Sequence, residues 1–148
     1  MRMSLRISLL AAVVIIAPAF SLGEVRDHAV VLIYHHVDAE TPDSTSVTPE
    51  LFGEHLDYLV EGGYRAWPLA VLVDSLRSGA PVPDRTVAVT FDDGYRSVYT
   101  QAYPRLRELG WPFTVFVCPA AIDQRQGPVL TWDQMREMAA AGATVANH

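Results

Sequence analysis

The sequence predicts an α/β fold built on parallel strands, and three observations carry that prediction. First, runs of apolar and β-branched residues without alternation recur at residues 29–34, 87–91 and 113–117, as in strands covered on both faces. Second, segments with helical spacing and cap residues lie between these runs. The order is β, α, α, β, α, β, α, β, an alternation that implies crossover helices joining parallel strands. Third, polar groups stand where strands end: His35 and His36, Asp92 and Asp93, and His148. In parallel α/β folds the carboxyl ends of the strands share one side, where ligands and active sites lie.

Each element has its own signal. The first strand, 29–34, is followed by a polar loop and then by Thr48-Pro49-Glu50, a helix start with a hydroxyl cap, proline at the first helical position and an acid in the first turn. Leu51, Phe52, His55, Leu56 and Leu59 recur at helical spacing, and Gly62-Gly63 ends that helix. Residues 64–67 are a short extended piece. A weaker helix over 69–76 closes at Ser78-Gly79. After the central strand, a helix over 97–109 has Val98, Ala102, Leu106 and Leu109 on its apolar side, with Pro104 predicted to kink it. A buried strand at 113–117 leads to a loop over 120–128. Thr131 and Gln134 form a capping box. The helix that follows has Met135, Met138 and Ala139 as its inner face, and Gly142 stops it. A last strand opens at Thr144.

Composition narrows the function classes. Half of the 148 residues are hydrophobic, enough for one domain with a real core. The formal net charge of −6 argues against non-specific nucleic-acid binding. Arg2 and Arg6, the apolar run 9–17 and the small residues of Ala17-Pro18-Ala19 or Ser21-Leu22-Gly23 follow the order of a secretory signal peptide. Residues 1–23 are therefore read as a leader and 24–148 as the mature domain, secreted or periplasmic, with no stable membrane span after cleavage. Losing the two arginines takes the charge from −6 to −8. Cys118 is the only cysteine, so no internal disulfide forms. It is read as a small buried hydrophobe, since no pattern around it supplies a base.

The chain is organised around Val87-Ala88-Val89-Thr90-Phe91-Asp92-Asp93-Gly94. A hydrophobic strand running straight into Asp-Asp-Gly is either a turn with exposed acids or a pair of carboxylates delivered to a site. With histidines at neighbouring strand ends, the second reading gives a nitrogen and oxygen donor set suited to a divalent metal such as zinc.

Thr90-Phe91-Asp92-Asp93-Gly94 resembles the first motif of the polysaccharide deacetylases, the chitooligosaccharide-deacetylase-like domain of carbohydrate esterase family 4. Tyr34-His35-His36 and Tyr95-Arg96-Ser97-Val98-Tyr99 are similar to the poly-N-acetylglucosamine deacetylase branch. Leu130-Thr131-Trp132-Asp133-Gln134-Met135 resembles the segment before the second motif. The resemblance covers roughly residues 29–148. It implies the N-terminal half of a distorted (β/α) barrel, with Asp92 as general base, Asp93 and His148 as metal ligands, and His35, His36 and Tyr95 near the site. It also implies a polysaccharide or oligosaccharide substrate, a divalent metal cofactor and hydrolytic N-deacetylation of an N-acetylglucosamine polymer. The second motif calls for another histidine after His148, and the later motifs, with an arginine that orients the base, are not in this sequence. The expectation is a chain truncated within the second motif. The rival reading is a non-catalytic secreted remnant or a glycan-binding half-domain. His28 and His55 are read as surface residues.

Overall fold

A computed structural model describes Val25–Arg26 and residues 28–148; the predicted leader, residues 1–23, lies outside the described residues. The principal strands are β1 (Val30–Tyr34), β2 (Thr86–Phe91), β3 (Thr114–Val117) and β4 (Thr144–Asn147). They lie in that order within a five-stranded sheet whose fifth member, the short strand Arg65–Ala66, pairs with the amino end of β2. Every pairing in this sheet is parallel. The four principal strands follow chain order without reversal, which is the winding of a (β/α) barrel rather than of a doubly wound sheet; Arg65–Ala66 stands outside that order, since it meets Val87 of β2 as Val30 does. The described sheet is open, with β1 and β4 at its edges. Val30, Val31 and Ile33 of β1 are exposed there.

The connecting helices are α1 (Pro49–Glu61), α2 (Leu69–Ser78), α3 (Tyr103–Glu108), α4 (Pro119–Asp123) and α5 (Trp132–Ala140). Among the described residues no helix is long and apolar enough to cross a membrane. Thr48 caps α1 as expected, its hydroxyl accepting from Leu51 N at 3.2 Å, and Pro49 opens the helix. Both halves of the capping box form at α5, Gln134 N donating to Thr131 Oγ1 and Thr131 N to Gln134 Oε1.

β2 is buried at every position, and the alternation of its side chains explains how. Val89 and Phe91 point into the main core, among Phe52 and Leu56 of α1, Leu106 of α3 and Met135 and Met138 of α5. Ala88 points the other way, against Leu72 of α2 and Val82. Thr90, on that second face, satisfies its hydroxyl by donating to Leu32 O at 2.9 Å. The Phe91 ring is the hub of an aromatic cluster. Its centroid lies 5.6 Å from that of Tyr34 and 5.8 Å from that of Phe113, the latter edge-on.

Several local expectations are corrected. The helix expected over 97–109 forms, but residues 98–102 of it are π-helical, with Tyr103 N donating to Val98 O. The α3 segment follows directly with Pro104 in its first turn, so the proline's missing amide hydrogen falls where the π segment gives way to α. The expected loop at 120–128 begins with α4, a short helix opened by Pro119. Ala139 is exposed; Met135 and Met138 alone supply the buried face of α5. Leu51 is also exposed, one residue off the Phe52, Leu56 and Leu59 stripe. Cys118 is exposed, because β3 ends at Val117 and Cys118 becomes the residue before α4. His55 is half-buried, its Nδ1 3.1 Å from the Tyr34 hydroxyl.

Gly94 is the most closely approached of the glycines among the described residues. It has φ +68°, and a β-carbon there would lie 2.8 Å from Val117 Cγ1. Gly127 has a similar φ of +75° with nothing within 4 Å of such a carbon. Gly127→Ala is expected to cost about 1 kcal/mol from backbone conformation alone. Gly94→Ala adds a collision worth roughly 1–3 kcal/mol more. Denaturation midpoints of the two variants check the difference, and equal losses contradict the close approach.

Candidate active site

The site is assembled where β2 ends. Phe91 is the last residue of the strand, and Asp92 N still donates to Tyr34 O of β1 at 2.8 Å. The backbone then turns sharply: Asp93 takes φ +66° and Gly94 φ +68°. Successive residues of a straight strand point to opposite faces, so this turn is what brings adjacent carboxylates to one place. Left-handed backbone is tolerated at aspartate better than at most residues, and glycine adopts it freely. The loop is tied down from outside. Leu130 N donates to Gly94 O at 2.8 Å, Arg96 N donates to Pro128 O at 2.7 Å, and Tyr95 forms a bridge with Val129.

His148 arrives from the neighbouring strand ends. β4 pairs with β3 so that Asn147 lies beside Val117. His148 N then donates to Val117 O at 2.9 Å. Its imidazole Nε2 lies 3.7 Å from Asp93 Oδ1 and 3.9 Å from Asp92 Oδ2. Burial differs within the trio: the Asp92 side chain is 23% exposed, Asp93 38% and His148 47%.

The near-site residues are placed unequally. His36 is buried and stacked on Tyr95, with ring centroids 3.5 Å apart and planes 24° from parallel. Burial pushes the His36 pKa below its ordinary value; Asp38 and Asp93 act in the opposite sense. Burial and then the Asp93 carboxylate raise the Tyr95 hydroxyl. His35 makes no hydrogen bond or ion pair with the trio among the described residues. Its place near the site rests on its neighbour.

Donors held 2.0–2.2 Å from a tetrahedral zinc lie about 3.4 Å from one another. The 3.7 Å between His148 Nε2 and Asp93 Oδ1 fits two such positions. Among the described residues, no group of three or more histidine, cysteine, aspartate or glutamate side chains is gathered into a full cage. The residues present therefore fit a divalent metal as a two-donor half-site with a carboxylate beside it.

The roles of two residues near the site escaped the sequence reading. Ser97 is buried and its hydroxyl accepts from Val37 N at 3.1 Å, fixing the strand that carries His36. A serine beside a helix start gives no signal of such a partner 60 residues away. Trp132 stands in the sequence only as part of the 130–135 run and as the residue after a cap, with no role of its own; it remains 42% exposed in the wall of a cavity beside the Gly94 loop.

Comparison with known proteins places these features. Residues 79–148 match the family described as Polysaccharide deacetylase. The poly-beta-1,6-N-acetyl-D-glucosamine N-deacetylase of Escherichia coli (strain K12) is 33% identical over 126 residues, an overlap of 74% of this chain and 19% of that protein. The structure of IcaB from Ammonifex degensii aligns with a TM-score of 0.74 at 33% identity, over 84% of this chain and 54% of that one. A Streptococcus pyogenes deacetylase, PplD, solved in complex with acetate, aligns at 0.72 and 26% identity, over 81% and 55%. The chain spans about a fifth of the curated relative and about half of each solved chain.

The His36 environment has a consequence for stability. Its folded pKa is depressed, so the unfolded chain binds the proton more readily. The contribution is fully present above the unfolded value of about 6.5 and is lost as pH falls from there through the lower folded value. The denaturation midpoint is expected to fall between pH 7.5 and 5. His36→Phe, which keeps a ring against Tyr95 and cannot titrate, is expected to fall less; equal slopes refute the assignment.

Proposed function

This chain carries part of a polysaccharide deacetylase domain, and on that premise we propose that its parent activity is hydrolytic removal of acetyl groups from N-acetylglucosamine units of an extracellular polysaccharide. The observation that carries the reading is the trio itself. Asp92 and Asp93 leave the end of β2 together, and His148 Nε2 stands within 4 Å of both.

In this reading Asp93 and His148 hold a divalent metal ion, with zinc favoured by the nitrogen and oxygen donors. When bound, the ion supplies Lewis-acid polarisation of the amide carbonyl and lowers the pKa of water toward neutrality. Asp92 is the general base: its carboxylate takes the proton from water as the water oxygen reaches the acetyl carbonyl carbon. Its lower exposure suits a group that must face a reacting atom rather than bulk solvent. His36 and Tyr95, stacked beside Asp93, form one wall of the approach, and His35 belongs to the same rim. The partner is a neutral or partly deacetylated glycan, in keeping with an acidic chain. Residues 24–148 make up the mature part of the domain, and export by the leader over 1–23 belongs to the same reading.

Among the described residues Asp93 and His148 supply two of the three protein ligands that a catalytic zinc site usually takes.

Substitutions in the full reading frame separate the roles. Asp93→Ala and His148→Ala are expected to lower metal content by elemental analysis. Asp92→Asn is expected to spare metal and reduce acetate release by about 10²- to 10⁴-fold, the usual worth of a general base. Near-normal turnover in Asp92→Asn overturns its assignment. Export has its own check: exported protein is expected to begin after Ala19 or Gly23 on N-terminal sequencing, and an intact Met1 contradicts the leader.

A further inference from the structure

A cavity of about 470 Å³ adjoins the loop that follows the carboxylates, lined by Arg96, Arg125 and Trp132 together with the apolar Ile122 and Leu130. Its volume is in the range of small-molecule sites. It shares the loop that carries the carboxylates: Arg96 follows Asp93 by three residues, and its backbone and that of Gly94 are bonded to Pro128 and Leu130. Trp132, the first residue of α5, leaves 42% of its surface open. Its indole is nevertheless held in place, Nε1 donating to Asp123 Oδ1 at the end of α4 at 2.9 Å. The ring is thus fixed at its polar edge. Arg96 and Arg125 have no carboxylate partner among the described residues, whereas Asp133 on the same wall is paired with Arg136.

We propose that this cavity is a sugar subsite next to the catalytic carboxylates, taking one pyranose ring of the glycan against the Trp132 indole, with Arg96 and Arg125 donating to its oxygens. The inference rests on the polysaccharide reading above and adds to it where a second sugar ring sits. A pyranose has an apolar C–H face and a rim of hydroxyl and acetamide oxygens. A pinned, half-open indole matches the first at little entropic cost. Guanidinium groups, which only donate, match the second. Apolar Ile122 and Leu130, and Asp133, in the same lining suit a neutral ring better than a small anion. The consequence is a preference for oligomers over the monosaccharide, because only an oligomer reaches this cavity and the carboxylates together.

Isothermal titration of the chain with a β-1,6-linked N-acetylglucosamine pentamer and with the monosaccharide tests the proposal. The pentamer is expected to bind more tightly. Trp132→Ala is expected to weaken pentamer binding about tenfold, as truncation of a central aromatic contact does. Trp132→Phe, which keeps an aromatic face, is expected to recover most of the affinity, and Arg125→Ala to lose part of it. In the full reading frame, Trp132→Ala is expected to raise KM for the pentamer with kcat little changed. Unchanged pentamer affinity in Trp132→Ala overturns the subsite. So does binding of inorganic phosphate as tight as that of the pentamer, which marks an anion site instead. Failure of the subsite and failure of the deacetylase reading are distinguishable. Acetate release with an unaltered KM in Trp132→Ala removes the subsite alone. Trp132-dependent binding without acetate release from the wild-type full frame removes the catalytic reading and leaves a glycan site.

Discussion

The site depends on a single backbone event, the turn into left-handed conformation at Asp93 and Gly94. β2 is enclosed on both faces, so a carboxylate on a further extended residue would point into apolar core on one side or the other. Burying an unpaired charge there costs several kcal/mol. The turn removes both acids from the strand and leaves them partly exposed at its mouth. The position is maintained by contact as well as by conformation. Val117 of β3 sits where a Gly94 side chain would be, and the 128–130 segment holds the loop through backbone hydrogen bonds.

The same dependence reaches His148 through strand register. His148 stands beside the carboxylates because Thr114 is opposite Thr144 and Val117 opposite Asn147. A slip of one residue along that pair would turn every β4 side chain to the other face. The capped α5 helix feeds directly into this register. Thr131 fixes where the helix begins, Met135 and Met138 lock its buried face, and Gly142, at φ +100°, lets the chain turn into β4. The geometry of a three-residue constellation is thus set largely by residues that never touch it.

Much of this was legible in the sequence because the signals were local. Unalternating apolar runs gave the strands, and their order gave the parallel sheet; β2 and most of β3 are buried as expected, whereas the 30–34 run, expected to be covered on both faces, lies exposed at the open edge. Thr48, Thr131 and Gln134 gave helix starts that the structure bears out. The strand-end positions of Asp92, Asp93 and His148 followed from the strands themselves. What escaped was of another kind. The exposure of Cys118 and Ala139 depends on where an element stops, to within one residue. The Trp132 to Asp123 bond joins two elements whose approach no periodicity encodes. The Ser97 to Val37 bond is likewise a product of the assembled fold. His55 was half right: it lies on α1 as expected, but its ring is drawn inward by the Tyr34 hydroxyl.

The π-helical segment at Val98–Ala102 bears on ancestry as well as on packing. A π turn is an α turn carrying one extra residue. It sits between the carboxylate loop and α3, so the extra residue is absorbed before Leu106 takes its place in the core. A chain with one residue fewer between Ser97 and Tyr103 would restore an ordinary α turn and keep everything downstream in position. When homologous chains are aligned, a lone single-position gap inside this helix would therefore record the gain or loss of the π turn, and forcing the alignment to run ungapped there would misassign the core of α3.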